Sequence, residues 1–257
     1  MQFKNWLEMS SLRDLLKDVP QGKFHPEGPV FKHVRLVRRA LDPAIKIFSQ
    51  EPIFKIYPPV SEADRKVLRL GAWLHDIGKA SATTWKSDFG EVLPWKDVQH
   101  PETGRWTSVG HEDPEYYEPM LKSLGTPWQK MHQGASEEDR DLVKALIEKH
   151  MGYVGDSFSR GFFHTVMDDY GRIRGDRKSK LLIIFKMMDI LGREGVSGNE
   201  ISGFIDGIRK ESARRRAFAD KEAEKRLPIT PEDFIKKLRE KGLSATQINN
   251  AVKGKFR

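Results

Sequence analysis

His75 and Asp76 stand side by side in the run Leu70-Gly71-Ala72-Trp73-Leu74-His75-Asp76-Ile77-Gly78-Lys79, which is otherwise largely apolar and helical in character. An unpartnered carboxylate in a packed interior costs several kcal/mol, so this pair requires a partner, and a divalent metal ion satisfies both groups at once. Side chains of the same kind recur along the chain: His33 upstream, and His111, His150 and Asp189 downstream. His150 follows Val143, Leu146 and Ile147 at helical spacing, and Asp189 follows Leu181, Leu182 and Phe185 in the same way, so both point to the apolar side of their helices. One inward histidine is usually a satisfied core residue. A series of inward histidines and carboxylates is a ligand set, and imidazole with carboxylate suits Zn, Mn, Fe or Ni better than Ca, which prefers all-oxygen sites.

The elements that must carry these residues are marked by their starts. Ser61-Glu62-Ala63-Asp64 and Ser136-Glu137-Glu138-Asp139 each place an acid three residues after a capping serine, which predicts helices from about 62 and 137 leading to His75 and His150. Thr230-Pro231-Glu232-Asp233 predicts a third start, Gly242 closes that helix, and Ser244-Ala245-Thr246-Gln247 opens a last one. No long run of alternating residues is present. The expected fold is all-α, a helical bundle with one long aromatic loop or hairpin and a C-terminal helical extension. The loop spans residues 80 to 110 and holds Trp85, Phe89, Trp95 and Trp106, which either close over the site, stack on a base, or pin the loop to the helices. A second irregular stretch, residues 152 to 180, carries Arg172, Arg174 and Arg177, which either meet phosphate or, the favoured reading, form a solvated basic loop, and Asp168-Asp169 within it reads as a surface or helix-start feature.

The chain has 257 residues, enough for one large domain with an appendage. It has no membrane-length apolar run, and its start, Met1-Gln2-Phe3-Lys4-Asn5-Trp6-Leu7-Glu8, does not resemble a signal peptide, which predicts a cytoplasmic protein. With no cysteine, thiolate sites and thiol nucleophiles are excluded, so any metal sits on His, Asp or Glu. Lys and Arg number 45 against 37 acids, a formal charge of +8, and much of the excess follows residue 205. This composition suits a polyanionic partner, RNA or DNA, bound through the basic C-terminal region, although interspersed acids also allow a salt-bridged exposed helix.

His25-Pro26-Glu27-Gly28-Pro29-Val30 leading to His33, then His75-Asp76-Ile77-Gly78-Lys79, Gly110-His111-Glu112, Lys149-His150-Met151 and Asp189-Ile190-Leu191-Gly192-Arg193 occur in an order that resembles the HD superfamily of metal-dependent phosphohydrolases. The similarity is greatest to the HD region of bacterial CCA-adding tRNA nucleotidyltransferases and covers roughly residues 22 to 195. The glycine turn and paired acids of the nucleotidyltransferase head have no counterpart here, so nucleotide addition is not expected. The resemblance implies an HD-type phosphohydrolase domain over residues 1–200 and a basic helical extension over 201–257. It implies one or two divalent ions (Mn, Mg, Fe, Ni or Zn), with His33, His75, Asp76 and Asp189 as an inner set, Asp76 able to bridge, and His111 and His150 completing a second site. Such ions lower the pKa of a water and neutralise phosphoryl oxygens. Lys79 and Arg193, each close after a ligand, are candidates to hold the phosphate beside the catalytic Asp76. The implied substrate is a phosphate ester on a nucleotide or a nucleic-acid end. Alternatives are a nuclease acting on single strands, an HD-type di-iron oxygenase, and a non-catalytic RNA-binding module.

Overall fold

Capping chemistry places the helices where the sequence predicts them. The computed structural model describes residues 12–22, 25–98, 104–124, 135–150, 153–154, 157–158, 160–196, 198–226 and 231–255. Its helices are α1 (Val30–Arg39), α2 (Leu41–Gln50), α3 (Glu62–Leu74), the short α4 (Lys79–Ala82), α5 (Pro114–Ser123), α6 (Glu137–Lys149), α7 (Arg160–Val166), α8 (Arg177–Leu191), α9 (Gly198–Arg226), α10 (Pro231–Glu240) and α11 (Ala245–Lys255). Helix α3 starts in a complete capping box, with the Asp64 amide donating to Ser61 Oγ and the Ser61 amide to Asp64 Oδ2. Helix α6 starts on Ser136, whose hydroxyl accepts from the Asp139 amide. Gly242, at φ 75°, ends the segment after α10, and Ser244 with Gln247 caps α11. Thr230, the predicted cap of α10, and the N-terminal residues 1–11 lie outside the described residues.

Helix α8 is the axis of the core. Every residue from Ser179 to Ile190 is buried, so it has no polar face; α1, α2, α3, α6, α7 and α9 all pack on it. This all-round burial is why Asp189 and Lys186 sit inside the protein. Gly192 allows α1 to approach the end of α8, because a Cβ there would lie 2.6 Å from the Val37 backbone. Ile201, Phe204, Ile205 and Ile208 of α9 belong to the same core, so one face of its first turns is interior, and its basic residues begin at Arg209.

The expectation of helices throughout is met only in part. The 80–110 segment holds a three-stranded antiparallel sheet of β1 (Thr84–Ser87), β2 (Val92–Pro94) and β3 (Gly104–Thr107) in the order β2-β1-β3, and a two-stranded pair, β4 (Tyr153–Val154) and β5 (Ser157–Phe158), follows α6. A hairpin was legible in the aromatic and turn residues; the third strand was not, since strands of three or four residues are too short to display alternation. Among the described residues no helix is long and apolar enough to cross a membrane.

The arginines of the second irregular stretch are engaged. Arg172 Nε donates to Asp168 Oδ2, Arg174 Nε to the Met167 carbonyl, and Arg177 to Asp64, Glu138 and Asp139. Asp168 organises its turn by accepting from the Tyr170 and Arg172 amides.

Candidate metal centre

Six residues from five separate segments meet in the interior: His33 on α1, His75-Asp76 directly after α3, His111 before α5, His150 directly after α6, and Asp189 on α8. His75 and His150 occupy the C-terminal caps of their helices rather than mid-helix positions. There the backbone carbonyls of the last turn lack helical partners, and the structure uses them. His75 Nδ1 donates to Ala72 O (3.2 Å), His111 Nδ1 to Ser108 O (2.7 Å) and His150 Nδ1 to Ile147 O (2.6 Å). Each ring is held by the carbonyl three residues before it, which fixes the tautomer and leaves Nε2 as an unprotonated lone pair. His33 is oriented from the same side: its Nδ1 lies 2.7 Å from Glu27 Oε1, within ion-pair range though off the line of a directed hydrogen bond.

All four Nε2 atoms then face two carboxylates. His33 Nε2 lies 3.2 Å from Asp189 Oδ1 and 3.8 Å from Asp76 Oδ2, and His75 Nε2 lies 3.4 Å from Asp76 Oδ2 and 4.0 Å from Asp189 Oδ1. On the other side, Asp76 Oδ1 lies 3.1 Å from His111 Nε2 and 3.5 Å from His150 Nε2. The groups therefore divide into His33, His75, Asp189 and Asp76, His111, His150, with the two oxygens of Asp76 turned to different sets.

This arrangement is short of protons. His75 Nε2 is buried without a hydrogen-bond partner. The Nε2 atoms of His111 and His150 stand 3.1 Å apart, and with both Nδ1 protons engaged elsewhere, two lone pairs oppose one another. Burial, together with the neighbouring imidazoles, pushes His75 down to about 3 despite Asp76 beside it, and burial lowers His111 as well, so neither ring supplies the missing proton at neutral pH. Burial works against the charge of Asp76 and Asp189, yet Lys79 holds Asp76, and Lys186 and His33 hold Asp189, well below the usual carboxylate range. A cation between lone pairs and carboxylates satisfies every atom, and separations near 3 Å are those of donors sharing an ion at roughly 2.1 Å. The donor set fits a divalent metal of the nitrogen-and-oxygen class.

Lys79 is in the site: its buried Nζ donates to Asp76 Oδ2 (2.8 Å) and Gln21 Oε1 (3.0 Å). Arg193 is not. It donates to Glu200 of α9 at 2.7 Å, at the surface end of α8. Arg193→Ala is accordingly expected to change turnover less than about threefold and stability by within about 0.5 kcal/mol; a hundredfold loss of rate would place it at the substrate.

No family model matches this chain, and neither a curated protein nor a solved structure does. The site has to be read from its own atoms.

Three contributors escaped the sequence reading as site residues. Glu27, fully buried as a side chain, takes His25 Nδ1 (2.9 Å) as well as His33, and its carboxyl is held below the ordinary range by these histidines although burial opposes it. His25 packs edge-on against His33. Lys186 Nζ donates to Asp189 Oδ2 (2.7 Å) and to the His150 carbonyl (3.0 Å), tying two ligand segments together. Lys186 had a signal, since it lies one helical turn before Asp189 in a run that is otherwise apolar. Gly78 is a fourth requirement: a Cβ there would fall 2.0 Å from the His111 carbonyl oxygen, so only glycine lets the His111 loop close onto the His75-Asp76 turn.

Proposed function

We propose that this protein is a metal-dependent phosphohydrolase of the HD type, hydrolysing phosphate esters of nucleotides or nucleic-acid ends. One observation carries the reading: four imidazoles turn their Nε2 atoms to two buried carboxylates, and three of them, His75, His111 and His150, are held from behind through Nδ1. The resemblance of five ordered segments to the HD superfamily supports the same reading. In it, residues 1–200 form the HD-type domain and 201–257 the helical extension.

The residues would divide the work as follows. His33, His75 and Asp189 would hold one divalent ion, His111 and His150 a second, and Asp76 both. Ions bound there supply charge neutralisation at the phosphoryl group and a water of lowered pKa. Lys79 keeps Asp76 ionised and oriented, and its ammonium, which also donates to Gln21, would be the cation offered to a substrate oxygen. Lys186 does the same for Asp189 from the interior side. Glu27 fixes the His33 ring.

The deciding experiment is elemental analysis of protein purified without added metal, followed by a screen for hydrolysis of generic phosphate esters, cyclic nucleotides and oligonucleotides with Mn, Mg, Ni and Fe. Bound metal and metal-stimulated phosphate release are expected. Oxygen consumption with an iron-loaded protein, and no hydrolysis, would replace the reading with that of a di-iron oxygenase. His150→Ala is expected to lower metal content to about one ion per chain with helical circular dichroism retained, because the first set keeps its donors; unchanged stoichiometry would remove His150 from the ligands.

A further inference from the structure

The three-stranded sheet has two unlike faces. Alternation along the antiparallel ladders puts Trp85, Leu93 and Trp106 on one face, with the two indoles 4.9 Å apart, and Lys86, Val92 and Arg105 on the other. Lys86 and Arg105 are direct cross-strand partners, both exposed. Like charges opposite one another destabilise a ladder, and neither has an acidic partner among the described residues. Among the described residues of the β1–β2 hairpin, Glu91 lies opposite Ser87, on the alternate side, and Asp88 is in the turn itself. Beside the two cations are Val92, 56% exposed, and at the hairpin tip Phe89, 94% exposed. Cations without an acidic partner among the described residues, on the same ribbon as a solvent-facing aromatic ring, are a combination that takes up a phosphodiester backbone together with an unstacked base.

The sheet is fastened at the rim of the candidate metal centre. A Cβ on Gly22 would lie 3.1 Å from the Trp106 carbonyl oxygen, so β3 runs beside the segment whose Gln21 holds Lys79. Beyond β3, Ser108 bonds Thr83 through their hydroxyls at 2.7 Å and offers its carbonyl to His111. On α9, Arg209, Arg214 and Arg215 are each paired with a nearby acid.

We propose that the Lys86–Arg105 face of the sheet binds the backbone of single-stranded nucleic acid, with a base against Phe89, and, resting on the phosphohydrolase reading, that the substrate at the adjoining centre is a polymer. The test is fluorescence anisotropy of a labelled oligothymidylate of about 20 nucleotides, titrated with the full chain at several salt concentrations. K86E/R105E is expected to weaken binding more than tenfold and to flatten the dependence of log K on log salt by about 1.4, the contribution of two phosphates. F89S is expected to weaken binding about tenfold, the scale of one stacked base, with little change in that slope. K236E/K237E, on α10, should leave affinity within about twofold. Wild-type affinity in K86E/R105E overturns the proposal, as does loss of binding in K236E/K237E alone, which would move the interface to the C-terminal helices. Competition by polyglutamate as effective as by unlabelled strand overturns it in favour of an acidic peptide. Hydrolysis of a small generic ester by the wild type is scored separately: its absence, with strand binding lost in K86E/R105E, sinks the phosphohydrolase reading and leaves the binding face standing.

Discussion

Replacing Asp76 with alanine is expected to abolish metal-stimulated phosphate-ester hydrolysis, a loss on the order of 10³-fold or more, since losing a single preorganised interaction with developing charge already costs 10²–10³-fold. Asp76 is the one carboxylate with an oxygen toward each histidine set, so no other side chain replaces it. Metal content should fall with the rate. The alanine variant also leaves Lys79 buried with only Gln21 as partner, which lowers stability. Asp76→Asn therefore makes the cleaner comparison: it keeps the shape and removes the charge. Initial rates with Mn, elemental analysis and a circular-dichroism melt on both variants check the expectation, and a rate within tenfold of wild type in either would remove Asp76 from the reaction.

Asp64→Ala should give a large loss of stability from a position outside the centre. Asp64, only 2% exposed, closes the capping box of α3 and accepts from Arg177 Nε at 2.8 Å and from Lys180 Nζ at 2.6 Å. Arg177 reaches on to Glu138 and Asp139 at the start of α6. One carboxylate thus joins the three helices that deliver His75, His150 and Asp189. Removing it loses a cap worth about 1 kcal/mol and strands a buried lysine, for a total of about 3–5 kcal/mol and a fall in Tm on the order of 10 °C.

The same group sets an acid limit. Burial alone would raise the Asp64 pKa, but Arg177 and Lys180 hold it at about 2 against an ordinary 3.8. Its folded value is depressed, so the stability it contributes is present above about pH 4 and is lost as pH falls toward 2. The gap in Tm between wild type and Asp64→Ala should therefore narrow over that interval. A gap that stays constant would mean that the carboxylate charge is not what the network uses.

What could be read before any coordinates were the local signals. Capping pairs at Ser61–Asp64 and Ser136–Asp139 act over three residues, so they mark helix starts without knowledge of the fold. Helical periodicity likewise turns His150 and Asp189 inward from their immediate neighbours alone. The order of histidines and carboxylates, each beside an apolar run, pointed to one shared centre.

What only the tertiary structure decided was which atoms face which. His33 and Asp189 are 156 residues apart, and Asp64 and Lys180 116, so their approach depends on how the helices pack around α8. Arg193 follows Asp189 closely in sequence, yet the end of α8 at Gly192 turns it away to Glu200. Glu27 lies shortly before His33 and Lys186 one helical turn before Asp189, and both matter because burial leaves His33 and Asp189 without water to orient them. The strand β3 pairs with β1 across an intervening strand, a contact no short window contains. Sequence by itself determined the residue types, the helix starts and the inward faces, because these follow from neighbours a few positions away. Tertiary packing determined the pairing of each charge and the division of the six residues into two sets, because these depend on distances between segments that the chain brings together only when α8 is enclosed.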